Sequence, residues 1–420
     1  MITKTTLKNG VRVLTIPHQD TKAVTVLVLV ATGSKYETKE QNGISHFLEH
    51  MFFKGTKKRP TPVEVVETID EVGGAFNAFT STEYTGYFVK VEYEHVNVAL
   101  DLVSDIFFNS LFPSKEIQKE KGVVIEEINI YKDNPMRRIE DLWQKMLYGD
   151  QPAGWNIAGS PETVSSLTRK GLLAYMQSQY VSLNTVVCVA GRIDEQRTIK
   201  SVGKLFGNMK TSAFKDKSRV RDTQEKPNVL VEEKKTDQTR IALGVKGYDL
   251  SHPARYAQDV LATLLGGMMS SRLFLEVREK LGIAYDIRTS SENDTDTGHL
   301  VTMAGVPHAK TEIAIRAIMK EYKKIAKVKV SDKELKKAKD HMKGSMELGL
   351  ESSEAKASFF GMQELLEKKF LTPSQVHATI AKVRAEDVRR VAQELFLPHK
   401  MNLAILGPSK DSVHLERLIS

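Results

Sequence analysis

The chain has 420 residues and a formal net charge of +8, with 41% hydrophobic and 27% charged residues. This length predicts two domains, and the composition is ordinary for a soluble globular protein. The single cysteine, Cys188, excludes an internal disulfide, and its apolar neighbours indicate a small core residue.

The N-terminal residues predict a β-hairpin with Asn9-Gly10 at its turn, and we expect no signal peptide. The longest apolar run, from Ala23 to Ala31, is too short to span a bilayer and predicts a buried strand. We therefore expect a cytoplasmic protein that has no membrane partner.

The sequence His46-Phe47-Leu48-Glu49-His50 is the most informative motif. On a helix, residues i and i+4 lie on one face, so His46 and His50 can bind one metal ion. Glu49 reaches the same side. This is the inverted His-x-x-Glu-His form of a zinc hydrolase motif, in which the glutamate takes a proton from water. The alternative is a surface helix with a chance polar triplet, but the residues around the triplet are strongly apolar. Ser45 is a candidate N-cap for this helix.

The next stretch predicts a helix from Pro62 to Val72, ended by Gly73-Gly74, and strands at Ala75–Thr80 and Tyr84–Val91. The simplest interpretation of Asn77, Ala78 and Phe79 is an edge strand. An exposed edge beside a metal can also bind an extended peptide through main-chain hydrogen bonds. Further helices are expected around residues 95–108, 114–132, 136–148, 161–166 and 168–178, before a strand at Thr185–Ala190.

A catalytic zinc ion usually has a third protein ligand. The residues after Ser114 predict a capped amphipathic helix on which Glu120 and Glu127 lie two turns apart on one face. Apolar residues separate them on that face, and a buried carboxylate requires a partner or a metal. We assign Glu127 as the third ligand and expect Glu120 to orient a histidine or the water. Glu126 points about 100° away, which favours Glu127 without excluding Glu126.

An internal repeat relates the two halves of the chain: Ser114-Lys-Glu-Ile117 is echoed from Ser331, and the strand that begins at Asn184 is echoed from Asn402. The repeat predicts an α+β fold of two homologous domains, each an antiparallel β-sheet covered by helices on one face. The expected limits are 1–209, a linker at 210–227, and 228–420. In the second copy, the position that matches Glu127 is near Ser345, so we expect one Zn²⁺ per chain.

These motifs together resemble the pitrilysin family of metallopeptidases, which includes insulysin and the mitochondrial processing peptidase. The resemblance rests on the inverted motif, on Glu127 lying 77 positions after His50 with Glu120 seven before it, and on Gly73–Thr80 and Ser270–Tyr285. It covers nearly the whole chain, and the length is most similar to the bacterial single-unit branch. It implies a zinc metalloendopeptidase that cleaves unfolded or presequence-like peptides, bound in extended form inside a closed chamber.

The resemblance also implies roles for residues that would otherwise be unremarkable. Asn77, Ala78 and Phe79 would hold the substrate beside the zinc. Arg278 and Tyr285 match the family's pair of donors to the scissile carbonyl, although by themselves they indicate only a charged helix and a strand. By analogy with double-length relatives, we expect a homodimer in which Arg278 and Tyr285 act on the zinc site of the other subunit.

Two other function classes remain. A non-catalytic subunit, or a heterodimer partner of a related peptidase, would be expected to have a damaged metal motif. A different zinc hydrolase or a metal-binding protein would bind zinc without cleaving peptides. The basic charge and the lysine-rich helix Lys333–Lys343 could suggest nucleic acid, but no nucleic-acid-binding module accompanies them and a solvated face is expected.

Overall fold

The computed structural model describes residues 2–408 and 411–420. The strands of the first half are β1 (Thr3–Thr6), β2 (Arg12–Pro17), β3 (Ala23–Val30), β4 (Ala75–Thr80), β5 (Thr85–Glu92) and β6 (Thr185–Gly191). Its helices are α1 (Ile44–Met51), α2 (Pro62–Asp70), α3 (Val96–Asn109), α4 (Ser114–Asp133), α5 (Pro135–Tyr148), α6 (Pro161–Ser166), α7 (Arg169–Gln179) and α8 (Glu195–Phe206).

The second half repeats this succession. Its strands are β7 (Asn228–Glu233), β8 (Thr239–Gly247), β9 (Asp286–Asn293), β10 (Gly298–Val306) and β11 (Asn402–Gly407). Its helices are α9 (Arg255–Gly266), α10 (Thr311–Lys327), α11 (Asp332–Gly349), α12 (Ser353–Glu367), α13 (Pro373–Ala381), α14 (Ala385–Leu395) and α15 (Ser412–Ile419). A π-helical segment, Phe274–Lys280, lies between α9 and β9.

Apart from the additional edge strand β1 of the first sheet, the two sheets share one strand order, which confirms the α+β fold of two related halves. The first sheet runs β1-β2-β6-β3-β5-β4 and the second runs β7-β11-β8-β10-β9. Each sheet differs from the predicted antiparallel sheet in one pair, because β2 with β6 and β7 with β11 are parallel. Strands joined by a short hairpin must be antiparallel, whereas these partners are far apart in the chain and can pair in either direction.

The first sheet is also covered on both faces, where the sequence predicted helices on one face. Val26 and Val28 of β3 belong to the core that contains α1, whereas Leu27 and Leu29 pack with Phe360 of α12. An uninterrupted apolar strand such as β3 is typical of a sheet buried on both sides. This feature places β3 at the centre of the unit that carries the histidine motif.

By packing, the chain divides into two compact units that are discontinuous in sequence. The first runs to Asn129 and also contains Trp155–Ser218 and Leu348–Leu371. The second contains Ile130–Gly154, Arg219–Glu347 and the residues from Thr372 onward. Each unit therefore includes one long helix from the other half of the chain, α12 in the first and α5 in the second. The limits 1–209 and 228–420 concern the repeat and stay a prediction.

The predicted N-terminal hairpin and the predicted buried strand are confirmed. β1 and β2 pair as an antiparallel hairpin, with Gly10 at a φ of 94° in its turn. The apolar run from Ala23 forms the buried strand β3. Among the residues that the structure describes, none of the helices combines the length and the apolar character that crossing a membrane requires.

Candidate metal centre

The motif helix α1 is fixed at its N-terminus by a carboxylate that the sequence analysis missed. Gly43 is the N-cap, with a φ of 94°, so the interpretation of Ser45 as the cap is wrong. The Glu37 carboxylate accepts hydrogen bonds from the backbone N–H groups of Gly43 and Ser45, each at 2.8 Å. Only glycine suits position 43, because a Cβ there would lie 2.6 Å from the carbonyl oxygen of Ala158.

Three side chains lie close together, two from α1 and one from α4. Glu127 Oε2 lies 3.7 Å from His46 Nε2 and 3.4 Å from His50 Nε2. One ligand atom from each of the three residues lies within 4.8 Å of the others. A tetrahedral zinc ion separates neighbouring ligand atoms by roughly 3.3 Å, so this set of two imidazoles and one carboxylate fits zinc. The described residues contain no second group of this kind.

The structure distinguishes Glu127 from its neighbour. The Glu127 side chain is half-buried and faces the two histidines, whereas Glu126 is exposed. Both residues lie on α4, whose buried side contains Val124 and Ile128, and Val124 lies one turn before Glu127 on the same side of the helix. Packing of this apolar side therefore turns Glu127 toward α1 and leaves Glu126 in solvent.

Glu120, which the sequence analysis expected to orient a histidine or the water, lies behind His50. Its Oε2 is 3.2 Å from His50 Nδ1, and Lys54 Nζ is 2.7 Å from its Oε1. The residue is only 2% exposed. Burial raises the pKa of Glu120, but the hydrogen bonds from His50 and Lys54 outweigh burial and hold the pKa below its usual value.

The two histidines have opposite pKa shifts. Burial, together with the neighbouring His50, lowers the pKa of His46 to about 4. Burial also lowers the pKa of His50, but hydrogen bonds to Glu120 and Glu127 overcome it and raise that pKa to about 9. The carboxylates therefore favour positive charge at this point, and a divalent cation would replace the proton on His50.

Glu49 lies on the same helix and has a different environment. Thr80 Oγ1 donates a 2.7 Å hydrogen bond to Glu49 Oε2. Burial raises the pKa of Glu49 above its usual value. A carboxylate whose pKa is raised in this way is better matched to proton transfer near neutral pH.

Thr80 ends β4, which is one of the two edge strands of the first sheet. On this strand Asn77 is exposed, and its side-chain oxygen accepts a 2.9 Å hydrogen bond from the Ala78 N–H group. Ala78 is buried in the core, and the Phe79 ring packs edge-on against Tyr84. The edge that the sequence analysis assigned to substrate is thus connected to Glu49 through Thr80.

Arg278 and Tyr285 belong to the second unit, where the structure brings them together. The guanidinium carbon of Arg278 lies 5.1 Å from the centre of the Tyr285 ring and 4.8 Å from that of Phe274. Tyr285 is 77% exposed. Both residues line a cavity of about 310 Å³ in this unit, together with Ile139, Arg240 and Met303.

Three residues of the site were not assigned from the sequence: Glu37, Lys54 and Thr80. Lys54 follows His50 by four residues, which is one helical turn, and Thr80 ends the predicted substrate strand. The sequence positions of Lys54 and Thr80 could therefore have identified either residue as a candidate for the site. Nothing in the local sequence distinguishes Glu37 from a surface glutamate, because the fold brings its donors to it: two backbone N–H groups and the Asn42 side-chain amide.

Comparisons with known proteins identify the family of this chain. Residues 12–160 match the insulinase family, peptidase family M16, and residues 166–342 match the family described as the peptidase M16 inactive domain. The chain is 39% identical to the uncharacterized zinc protease YmxG of Bacillus subtilis, over 97% of this chain and 99% of that protein. It is 34% identical to an uncharacterized zinc protease of Rickettsia felis, over 96% of this chain and 97% of that protein.

Solved structures agree as well. A protease from Helicobacter pylori superposes with a TM-score of 0.91 at 26% identity, over 97% of this chain and 99% of that chain. A peptidase M16 inactive domain from Pseudomonas fluorescens shares the fold, with a TM-score of 0.88 at 17% identity, over 98% of this chain and 99% of that chain. The resemblance to the pitrilysin family, which includes insulysin, is therefore confirmed. This chain belongs to peptidase family M16, a family of zinc proteases.

Proposed function

We propose that the chain is a zinc metalloendopeptidase of the His-x-x-Glu-His type that hydrolyses peptide bonds in extended, unfolded or presequence-like peptides within a closed chamber. The hydrogen bond between Thr80 of the edge strand and Glu49 of the motif helix is the observation that carries this proposal. It connects the strand suited to hold a substrate backbone with the carboxylate suited to move a proton.

His46, His50 and Glu127 would hold the zinc ion, and Glu120 would orient His50 through Nδ1. When bound, zinc supplies Lewis acidity that lowers the pKa of water and polarises a carbonyl. Glu49 accepts a proton from the attacking water and returns it to the leaving nitrogen, so it ends the cycle unprotonated.

The substrate would add a strand beside β4. Asn77 and Phe79 would flank its backbone. The Ala78 N–H group would donate its hydrogen bond to a substrate carbonyl in place of the Asn77 side-chain oxygen. Main-chain pairing is largely independent of sequence, which favours peptides without stable structure.

Arg278 and Tyr285 would donate hydrogen bonds to the carbonyl oxygen as negative charge develops on it. Each donor of this kind is worth roughly 3 kcal/mol in the transition state. We propose a homodimer in which this pair comes from the other subunit. Their mutual contact and the exposure of Tyr285 support a role toward a ligand.

The decisive test compares wild type with Glu49→Gln and with the matched control Glu126→Gln, using a quenched fluorescent unstructured peptide and zinc analysis. We expect Glu49→Gln to retain zinc and to lose at least about 100-fold in kcat/KM, because proton transfer by a positioned base contributes on that scale. Glu126→Gln should match wild type. Full activity in Glu49→Gln, or zinc-loaded wild type that cleaves no peptide, would contradict the proposal.

A non-catalytic partner subunit is not favoured. Such a chain would have no need to keep ligand atoms of three side chains within 4.8 Å of one another and a partly buried carboxylate beside them.

A further inference from the structure

Lys54 has no role in the reaction described above, but it contacts Glu120, which in turn contacts His50 of the candidate metal centre. We propose that Lys54 is a positioning residue, which acts through Glu120 to orient His50 toward the metal. The inference rests on the proposed zinc site but does not depend on peptide cleavage.

The contacts form a continuous chain from Lys54 to the metal ligand set. Lys54 Nζ lies 2.7 Å from Glu120 Oε1, and Glu120 Oε2 lies 3.2 Å from His50 Nδ1. With Oε1 occupied by the ammonium group, Oε2 faces the imidazole. An imidazole that donates from Nδ1 presents its lone pair at Nε2, the atom that lies 3.4 Å from Glu127.

Lys54 also supplies the positive charge that its partner requires. The Glu120 side chain is 2% exposed and the Lys54 side chain 23% exposed, so this ion pair is largely withdrawn from water. Removing one partner from such a pair leaves an uncompensated buried charge. Without Lys54, the Glu120 carboxylate would lose one of its two donors and the constraint on its rotamer.

The backbone after α1 places Lys54 for this contact. The Lys54 N–H group donates to the Met51 carbonyl at 3.2 Å, which extends the helix by a final turn. Gly55 follows with a φ of 108°, and a Cβ there would lie 2.3 Å from the Pro60 carbonyl oxygen. Because only glycine permits this sharp turn, the chain leaves the helix immediately after Lys54.

The test measures zinc affinity by competition with a chromogenic chelator, in the full-length protein and without substrate. We expect Lys54→Met to weaken zinc binding about tenfold, the lower range for residues that orient metal ligands. Lys54→Arg keeps the charge and the donors and should remain within about threefold of wild type. Lys57→Met, an exposed lysine on the same loop, is the matched control and should bind zinc as wild type does.

A double-mutant cycle separates positioning from a general loss of stability. If Lys54 acts through Glu120, then Lys54→Met should cause no further loss in a Glu120→Gln background. This background also removes the uncompensated charge, so the double variant remains testable where Lys54→Met alone fails to fold. Unchanged affinity in Lys54→Met, or additive losses in the cycle, would overturn the proposal. Wild type that binds zinc without cleaving peptides would contradict the proposed function alone.

Discussion

Three of the carboxylates around α1, those of Glu37, Glu49 and Glu120, have the same chemistry, and their hydrogen-bond partners determine what each can do. Glu37 accepts hydrogen bonds from backbone N–H groups, and Glu120 accepts them from an imidazole and an ammonium group. Glu49 accepts one hydrogen bond from a hydroxyl group. Each carboxylate oxygen of Glu37 and of Glu120 accepts a hydrogen bond, and these bonds hold both side chains in place. Glu49 has the lightest constraint, which suits a group that must accept and release a proton.

The hydrogen bond from Thr80 to Glu49 should matter for turnover and not for metal binding. Thr80→Val keeps the shape and removes the hydroxyl, and a hydrogen bond to a charged group is worth about 1.5–3 kcal/mol. We expect kcat to fall by roughly tenfold or more with zinc content unchanged. Thr6→Val, on the opposite edge strand, is the control. Loss of zinc in Thr80→Val would instead assign Thr80 to the metal site.

Glu37 should make stability depend on pH. Burial raises its pKa from 4.5 to about 7. Between these values the folded state binds the proton more tightly than the unfolded state. The contribution of Glu37 to the free energy of unfolding is therefore complete below pH 4.5. This contribution is lost as the pH rises through 7, and the loss is roughly 3 kcal/mol in total.

Glu37→Gln removes this dependence. Urea unfolding of the metal-free protein at pH 5, 6 and 7 should give a free energy of unfolding that falls with pH more steeply in wild type than in Glu37→Gln. Glu40→Gln, exposed in the same loop, should follow wild type. Parallel pH profiles for wild type and Glu37→Gln would show that the buried carboxyl does not titrate in this range.

At the scale of elements, α4 combines two functions on one helix. Its buried side carries Val124 and Ile128, and Glu120 and Glu127 face the histidines. Gly122 lies within this continuous helix, between the two glutamates. A Cβ at this position would meet no atom within 4 Å, so packing does not require glycine there.

Gly122→Ala should therefore stabilise the protein by about 1 kcal/mol, the difference in helix propensity between the two residues. The same substitution at Gly361 of α12 should destabilise it by about 1–3 kcal/mol, because the new Cβ would lie 2.6 Å from Cys188 Sγ. Urea unfolding measures both changes. Destabilisation by Gly122→Ala, without loss of zinc, would indicate that α4 requires local flexibility.

At the scale of the molecule, the repeated halves use the same framework for different purposes. α9 takes the place of α1 in the second half. Counted from the first residues of the two helices, Ala257 and Leu261 stand where His46 and His50 stand in the first half. Both are buried apolar residues. The second copy thus has a core contact where the first has the histidines of the proposed metal site.

The proposed homodimer predicts complementation between two inactive chains. A mixture of Glu49→Gln with Arg278→Ala should recover activity, because one hybrid site would combine the intact base of one chain with the intact donors of the other. Peptide cleavage after co-refolding or co-expression measures this recovery. The separate variants are the controls, and a mixture no more active than their average would indicate that both groups act within one chain.

The sequence by itself determined the local features of this protein. The i, i+4 spacing of His46 and His50 and the two-turn spacing of Glu120 and Glu127 describe positions along one helix, and helical geometry specifies these without further information. Apolar periodicity likewise determined most helices and strands, and the repeat determined the two related halves. Each inference used residues close together in the chain, or copies of them.

Only the tertiary structure decided which distant groups meet. It turned Glu127 and not Glu126 toward the histidines, brought Thr80 to Glu49, used Glu37 to bind the start of α1, and made one strand pair in each sheet parallel. Periodicity shows which side of an element is apolar but not which element will cover it. Contacts between elements follow from packing across the whole unit, and local sequence does not encode that packing.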